Sequence, residues 1–213
     1  MRNVDAGLLS AVTMGERRGI QKWLDRGASL HAVNKRGESG LMLCSNIETL
    51  GWLISEGVAI DARDNEGSTA LSQAPVYKNP QIVRFLLDHG ADVHVRDNDG
   101  STPLMGAAWP WPYDTEAVET FSLLLDSGID VNAVDQQGKT ALIHLLEDDQ
   151  YDGKRDTMAT FPHREAAYEE IVRLLQAYKA ETGIVDSGGN TALSFSVLRG
   201  LHDVVTLLKQ QAR

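Results

Sequence analysis

Histidine and carboxylate side chains are the groups in this sequence with the most potential for chemistry, and their spacing points to no reaction. The six histidines lack the short intervals of a zinc site, and the single cysteine, Cys44, cannot complete a structural one. His144 and Asp148 lie four residues apart and could share one helix face, which is more typical of a surface pair than of a catalytic dyad. The histidines are His31, His89, His94, His144, His163 and His202.

An acidic stretch after His144 carries part of a calcium-loop pattern. Asp148-x-Gln150-x-Asp152-Gly153 resembles the first half of an EF-hand loop, but Ala159 stands at the twelfth position, where such a loop needs a bidentate glutamate. The sequence contains no phosphate-binding glycine loop, dinucleotide fingerprint or Gly-x-Ser-x-Gly motif. We therefore expect no catalytic residue, no cofactor and no metal. An enzyme or regulatory domain of unknown chemistry is the alternative class.

The overall charge indicates a kind of partner rather than a reaction. The 213 residues carry a net charge of −10 at pH 7, and the sequence pI is about 5.0. Such a balance argues against binding to nucleic acid or to an anionic membrane and favours a partner with a basic surface. An acidic surface that only keeps the protein soluble is the alternative.

Cysteine usage and hydropathy bear on the compartment. One cysteine allows no internal disulfide, which suits a reducing environment. The N-terminus has no apolar signal core, and the sequence has no run of 18 apolar residues. We expect a soluble, cytoplasmic protein.

The elements that position these residues follow from one stretch, residues 95–104, that recurs along the chain. Asp97 and Asn98 can bond nearby backbone N–H groups, and Gly100 can adopt the positive φ of a tight turn. Thr102 can cap a helix with its hydroxyl, and Pro103 suits the first helical position. A repeat array is indicated by the intervals of 30, 33, 38 and 51 residues between the turn glycines Gly37, Gly67, Gly100, Gly138 and Gly189.

The repeated unit resembles an ankyrin repeat. Asp97-x-x-Gly100-x-Thr102-Pro103-Leu104 matches that family's turn and first helix, and residues 81–93 match its second helix and exit. One departure is that the histidine that usually follows the leucine is absent from every copy. The residues that stand there are Ser72, Met105, Ile143 and Ser194.

The resemblance implies an all-α ankyrin-repeat solenoid, in which helix–turn–helix pairs are linked by β-hairpin-like turns and carry two long inter-helix insertions. We expect a single domain over residues 1–213. Its units run over about 4–34 as an N-terminal cap, 35–64, 65–97, 98–135, 136–186, and 187–213 as a C-terminal cap.

The unit lengths predict local irregularities. The first bend is expected at residues 15–19. The second unit is three residues short, so its first helix, from Leu41 to about Asn46, should be truncated. The second helix of the fifth unit is expected to resume near Arg164. Left-handed glycines should end the second helices of the first four units, at Gly27, Gly57, Gly90 and Gly128. In the fifth unit Lys179 stands in place of this glycine.

The fourth and fifth units carry insertions between their two helices, at residues 108–114 and 147–162. Stacking should bring the two insertions side by side, with aromatic anchors beside carboxylates. The alternative is that the tryptophans cover the apolar bend while the acidic loop is disordered. The hypothesis is that the insertions form one patch for a partner, with Trp109, Trp111, Tyr113, Asp114, Glu147, Asp148, Asp149, Tyr151 and Asp152 as its residues.

The turn tips and the exposed faces of the first helices offer a second surface, the concave groove that ankyrin proteins usually use. The tip residues vary from copy to copy, as a binding groove permits. The candidate contacts there are Asn65, Glu66, Asn98, Asp99, Gln136 and Gln137.

The resemblance implies a non-catalytic protein–protein interaction scaffold. We expect a monomer that binds a specific partner protein through the groove, the insertions or both, and that binds neither nucleic acid nor a membrane. Small acidic ankyrin proteins also resemble immunity proteins that neutralise bacterial toxins, which gives a narrower alternative. A second alternative is an adaptor that bridges two partners by separate faces.

Overall fold

The computed structural model describes residues 2–76, 79–108, 115–147 and 162–211. Within these ranges the chain forms twelve α-helices and no strand, apart from one isolated antiparallel bridge between Val33 and Ser39, so the all-α class is confirmed. None of the described helices has the length and apolar character needed to cross a membrane. The helices are α1 (Asn3–Thr13), α2 (Arg17–Leu24), α3 (Gly40–Leu43), α4 (Ile47–Ser55), α5 (Ala70–Gln73), α6 (Pro80–Asp88), α7 (Pro103–Ala107), α8 (Thr115–Asp126), α9 (Ala141–Glu147), α10 (Pro162–Ala177), α11 (Ala192–Leu198) and α12 (His202–Gln211).

The helices pack in two rows. The first helices of successive pairs, from α1 to α11, each contact the next, and the second helices from α4 to α12 do the same. One continuous core runs through the stack. Burying a leucine side chain contributes about 1.5–3 kcal/mol, and these contacts join units that could not bury their faces alone. Four units contribute a buried leucine from the second position of the first helix: Leu41, Leu71, Leu104 and Leu142.

Threonine side chains begin several of the first helices, as predicted for Thr102. The hydroxyls of Thr69, Thr102 and Thr191 accept the backbone N–H three residues later at 3.2–3.4 Å. The hydroxyls of Ser72 and Ser194 return a bond, because they accept the N–H of Thr69 and of Thr191 at 2.7 and 2.8 Å. At two of the helix starts a serine therefore forms the second bond of a capping box, at the position where the family usually has a histidine.

Left-handed residues end the second helices of the first five units, which confirms the prediction for the four glycines. Lys179 adopts this conformation with a φ of 66° and is the only residue of the described chain other than glycine with a positive φ. Asn132 of the preceding unit supports it, since its Nδ2 donates to the Lys179 carbonyl at 3.2 Å and its Oδ1 accepts the N–H of Glu181 at 2.8 Å. The glycines with φ of 83–85° are Gly27, Gly57, Gly90 and Gly128.

The first helix of the second unit is shorter than the sequence predicted. α3 ends at Leu43 rather than near Asn46, because the chain becomes extended at Cys44. Asn46 instead caps α4, where its Oδ1 accepts the N–H of Thr49 at 2.8 Å. α3 and α5 each have four residues, so the three missing residues fall between the helices of the second unit: α4 begins four residues after α3 ends, whereas α6 begins seven residues after α5 ends.

Two other boundaries differ by a few residues from the predicted ones. α2 begins at Arg17, so Gly19 lies inside the helix and the first bend is shorter than predicted. α10 begins at Pro162 rather than near Arg164, because proline is favoured at the first helical position.

Replacing Lys179 by glycine should stabilise the protein, because glycine adopts the left-handed conformation without the steric cost of a Cβ. We expect the free energy of unfolding to rise by about 1 kcal/mol, which raises Tm by about 2–4 °C in a chain of this size. Thermal unfolding followed by circular dichroism measures the change. Lys179→Ala is the matched control, since it removes the charge but keeps the Cβ, and it should leave Tm nearly unchanged. A lower Tm for Lys179→Gly would contradict the expectation.

Candidate protein-binding surface

The five turns that join the helix pairs share one internal hydrogen-bond pattern. The side chain of the first turn residue accepts the backbone N–H groups two and four residues later. At Asp97, Oδ1 accepts from Asp99 at 2.9 Å and from Ser101 at 2.8 Å. The same pair of bonds is made at Asn34, Asp64, Asp135 and Asp186.

The carboxylate of Asp186 is held in its charged form by these bonds. The N–H groups of Asn190 and Gly188 donate to its Oδ1 at 2.7 and 2.9 Å. These donors, with Asn190 as the largest contributor, hold the pKa of the Asp186 carboxyl below its usual range. The bonds in this turn are therefore retained down to a pH below the usual carboxyl pKa.

Successive turns are also bonded to one another. The N–H of Asn98 donates to the Glu66 carbonyl at 2.8 Å, and the N–H groups of Asn65, Gln136 and Ser187 bond in the same way to the preceding turn at 2.8–2.9 Å. The side-chain amides of Asn65, Asn98 and Gln136 add a second bond to the preceding turn at 2.7–3.0 Å. We call this arrangement the turn ladder. It fixes the spacing of the turn tips.

The turn ladder divides the six predicted tip contacts into two groups. In the first group the side-chain amides are engaged in the ladder, and in the second group the side chains are exposed and lie outside it. Glu66 belongs to the second group, and its Oε2 is 3.9 Å from the Arg36 guanidinium of the preceding turn. A partner at the tips could contact the second group without breaking the ladder. The side-chain amides of the first group are engaged in the ladder: Asn65, Asn98 and Gln136. The second group has exposed side chains outside the ladder: Glu66, Asp99 and Gln137.

Side chains from two of the first helices bond back to the turn aspartates. Nε2 of His144 lies 2.8 Å from Oδ2 of Asp135. Nε2 of Gln73 donates to Oδ2 of Asp64 at 2.9 Å, at the equivalent position of its own unit. His144 therefore joins a helix to a turn, as Gln73 does. Asp148, the residue that could share a helix face with His144, lies outside the described residues.

Glu147 is the one member of the predicted insertion patch that the structure describes. It is the last residue of α9 rather than the start of a loop. Its Oε1 lies 2.6 Å from Nζ of Lys139, and both side chains are at least partly buried. Oε1 of Glu147 is therefore engaged within the chain. The other members lie outside the described residues: Trp109, Trp111, Tyr113, Asp114, Asp148, Asp149, Tyr151 and Asp152.

His89 and Cys44 have surroundings that are structural. Nδ1 of His89 lies 2.8 Å from the Phe85 carbonyl, and the two rings stack with their centroids 4.0 Å apart. Cys44 is buried, and burial raises the pKa of its thiol, which disfavours the reactive thiolate. In the ranges that the structure describes, no three His, Cys, Asp or Glu side chains come together as a metal ion would require.

A row of carboxylates that the sequence analysis missed lies where the second helices end. It occupies five segments, each of which runs from two residues before to four residues after the left-handed residue that ends a second helix. Within these segments the only lysine or arginine residues are Arg26 and Lys179. Aligning the five left-handed residues in the sequence would have revealed it. We call it the acidic edge, and its exposed carboxylates are Asp25, Glu56, Asp61, Asp88, Asp92, Asp126, Asp130 and Glu181.

Contacts between units join neighbouring segments of the acidic edge. The N–H of Asp92 donates to Oδ1 of Asp61 at 3.0 Å. The Tyr178 hydroxyl donates to the Asp126 carboxylate of the preceding unit, and this bond raises the pKa of Tyr178. Three side chains of the edge have no hydrogen bond or ion pair with another described residue: Glu56, Asp88 and Glu181.

His144 should be replaceable by glutamine but not by alanine, because Gln73 makes the equivalent bond to a turn aspartate. We expect His144→Ala to lower the free energy of unfolding by about 1 kcal/mol through the lost hydrogen bond, and His144→Gln to lower it much less. Denaturant unfolding measures both. His94→Ala is the control, since His94 is exposed and the bond it makes is through its backbone N–H. Equal destabilisation by alanine and glutamine would contradict the equivalence of the two pairs.

Comparisons with known proteins agree with this geometry. The family model described as ankyrin repeats (3 copies) matches residues 8–97 and residues 41–135, which together span more than half of the chain. The crystal structure of an ankyrin repeat domain from Acinetobacter baumannii AYE is similar over 94% of this chain and 95% of its own, with 27% sequence identity and a TM-score of 0.73. A comparison with curated proteins found no match. The shared turn, cap and helix pattern and the family match together show that the chain belongs to the ankyrin repeat family.

Proposed function

We propose that this chain is a non-catalytic scaffold that binds the basic surface of a partner protein through its acidic edge. Ankyrin repeats are generally protein–protein interaction modules, so the family supplies the general role. The proposal adds the sign of the partner's charge and the surface that meets it. We also propose that the scaffold is a monomer and that it acts in the cytoplasm.

The observation that carries the proposal is an unfavourable placement of charge. Asp25, Glu56, Asp88 and Asp126 lie at the C-terminal ends of α2, α4, α6 and α8. A helix C-terminus is partly negative, so each carboxylate there costs about 0.3–1 kcal/mol at low ionic strength. The fold does not depend on Glu56 or Asp88, since neither side chain makes a bond with another described residue and a glycine ends each of these helices. Cationic groups of a partner would offset the cost, which explains why the placement recurs.

The charge of the whole chain supports the same partner. A net charge of −10 attracts a basic protein before contact and raises the rate of association. Exposed charges are screened over a Debye length of about 8 Å at physiological ionic strength. Binding through the acidic edge should therefore weaken as salt is added.

Reversing charge on the acidic edge should weaken binding more than the same reversal elsewhere. The edge variant combines Glu56→Lys, Asp88→Lys and Glu181→Lys, which remove no internal bond of the described chain. The control variant combines Glu16→Lys, Glu116→Lys and Glu170→Lys, which are exposed outside the edge and change the net charge equally. We expect the edge variant to lose at least about tenfold in affinity, or 1.4 kcal/mol, and to show a flatter dependence of Kd on salt.

The partner for this test is first isolated by cross-linking and affinity purification from the source cells, and Kd is then measured with purified protein. Unchanged affinity of the folded edge variant, or equal losses in both variants, would overturn the proposal. A 1:1 complex that inhibits a toxin would identify the narrower immunity-type function. Two partners lost independently on separate mutations would identify an adaptor.

The insertion hypothesis predicts a different result with the same partner. Replacing both Trp109 and Trp111 by alanine should cost about 2 kcal/mol or more of binding free energy if these residues are anchors. Circular dichroism establishes that the double variant folds. Full affinity of a folded double variant would exclude the tryptophans as anchors and leave the acidic edge and the groove as contact surfaces.

A further inference from the structure

Two arginines lie beside the acidic edge and have no counter-charge in the part of the chain that the structure describes. Arg63 and Arg96 are exposed, and each stands two residues after the end of an edge segment. Neither guanidinium forms an ion pair with a described residue. By contrast, Arg17 pairs with Glu48 at 3.0 Å. In a chain with a net charge of −10, the two arginines therefore form a local excess of positive charge.

Backbone carbonyls hold both guanidiniums in place. Nη2 of Arg63 donates to the Arg96 carbonyl at 2.8 Å, and Nη1 of Arg96 donates to the Val134 carbonyl at 2.8 Å. Each bond crosses to the next unit, so the two side chains follow one another along the stack at about the spacing of packed helices, 8–10 Å. A guanidinium carries five N–H donors in a planar fork. Donors therefore remain on each arginine for an acceptor outside the chain.

The carboxylates closest to these arginines in the sequence are engaged elsewhere. Asp64 and Asp97 directly follow the arginines, and Oδ1 of each accepts two turn N–H groups at 2.8–2.9 Å. Oδ1 of Asp61 accepts the N–H of Asp92 at 3.0 Å. The aspartates thus have donors within the chain, while the guanidiniums have no group of opposite charge among the described residues.

The fold does not require arginine at this position. It is the sixth residue after the left-handed residue of each of the first five units, and it is exposed in all of them. Valine occupies it in three units, as Val33, Val134 and Val185, with exposed fractions of 39–53%. Stacking alone therefore does not explain a charged side chain here. The position forms a row along the stack in which two guanidiniums lie between valines.

We propose that Arg63 and Arg96 each receive a carboxylate of the partner protein and that this pair of contacts fixes the register of the partner on the acidic edge. The inference rests on the proposed function, and it adds two acidic groups to a partner surface that is otherwise basic. The guanidinium fork matches a carboxylate in a bidentate pair. A carboxylate fits better than a phosphate, because the neighbouring edge repels a charge of about −2 more strongly than a charge of −1.

The register follows from the occurrence of arginine in only two adjacent units. In the correct register, two carboxylates of the partner about 10 Å apart face Arg63 and Arg96. A shift by one unit would set one of them against Val33 or Val134, where it would lose hydration and meet no positive charge. The arginine pair therefore disfavours the registers that the acidic edge alone would allow.

Replacing both arginines by valine tests the pair. Arg63→Val with Arg96→Val copies the residue of the other units and makes the net charge more negative by two. Overall charge alone would then attract a basic partner more strongly. We expect instead at least about a tenfold loss of affinity in isothermal titration with the purified partner. The control Arg18→Ala with Lys209→Ala changes the charge equally at exposed positions outside the row, and it should not weaken binding.

Circular dichroism separates a binding role from a structural one. The valine variant loses two bonds between units, so its Tm should fall modestly while it still folds. If the arginines served only to join units, this variant would show a lower Tm and the affinity of the wild type. That result would overturn the inference.

A second variant gives a direct probe that does not depend on the valine variant. Arg63→Lys with Arg96→Lys places an amine at each position, and a carbodiimide joins an amine to a carboxylate in contact with it. Mass spectrometry of the treated complex should find bonds from positions 63 and 96 to aspartate or glutamate of the partner. Lys209, exposed outside the row, is the internal control and should form no such bond. A complex without a bond from either position would contradict the proposed contacts.

The outcomes separate this inference from the proposed function. If the valine variant binds as the wild type does while the edge variant loses affinity, the inference fails and the proposed function stands. If the wild-type chain binds no basic protein, the proposed function fails and the inference falls with it.

Discussion

The apolar face of one short helix pair cannot be buried within that pair, and this constraint shapes the whole chain. Leu71 and Leu104 are buried because neighbouring units cover them. The same stacking brings turn against turn, so that the N–H of Asn98 meets the carbonyl of Glu66. The stability of the stack and the shape of the candidate binding surface therefore come from the same contacts between units. A change in one unit should therefore affect the packing of its neighbours.

Some polar groups of the chain make hydrogen bonds within the stack, and others do not. The turn aspartates and the amides of the turn ladder are engaged in hydrogen bonds, so replacing them should cost stability as well as any binding. Glu56, Asp88 and Glu181 make no such bonds with the described residues and lie on the acidic edge. Charge there can vary while the fold stays the same. This freedom favours the acidic edge over the turn tips as the surface where the choice of partner is set.

Much of the fold could be predicted because its signals act within a few residues. Thr102 and Pro103 begin a helix through their own hydroxyl and missing N–H, and Lys179 was found by its register with the stop glycines. Contacts across units gave no such signal, since the amide of Asn98 bonds to a residue 33 positions away. The bond of His144 to Asp135 depends in the same way on how a helix lies against a turn.

The acidic edge does not carry the same charges in every unit. A row of charges repeated at the spacing of packed helices, about 10 Å, attracts a basic partner but allows it to bind in several registers. The first and last segments of this row also carry Arg26 and Lys179. A shift by one unit would set cationic groups of the partner against one of these side chains, and that repulsion limits the number of registers.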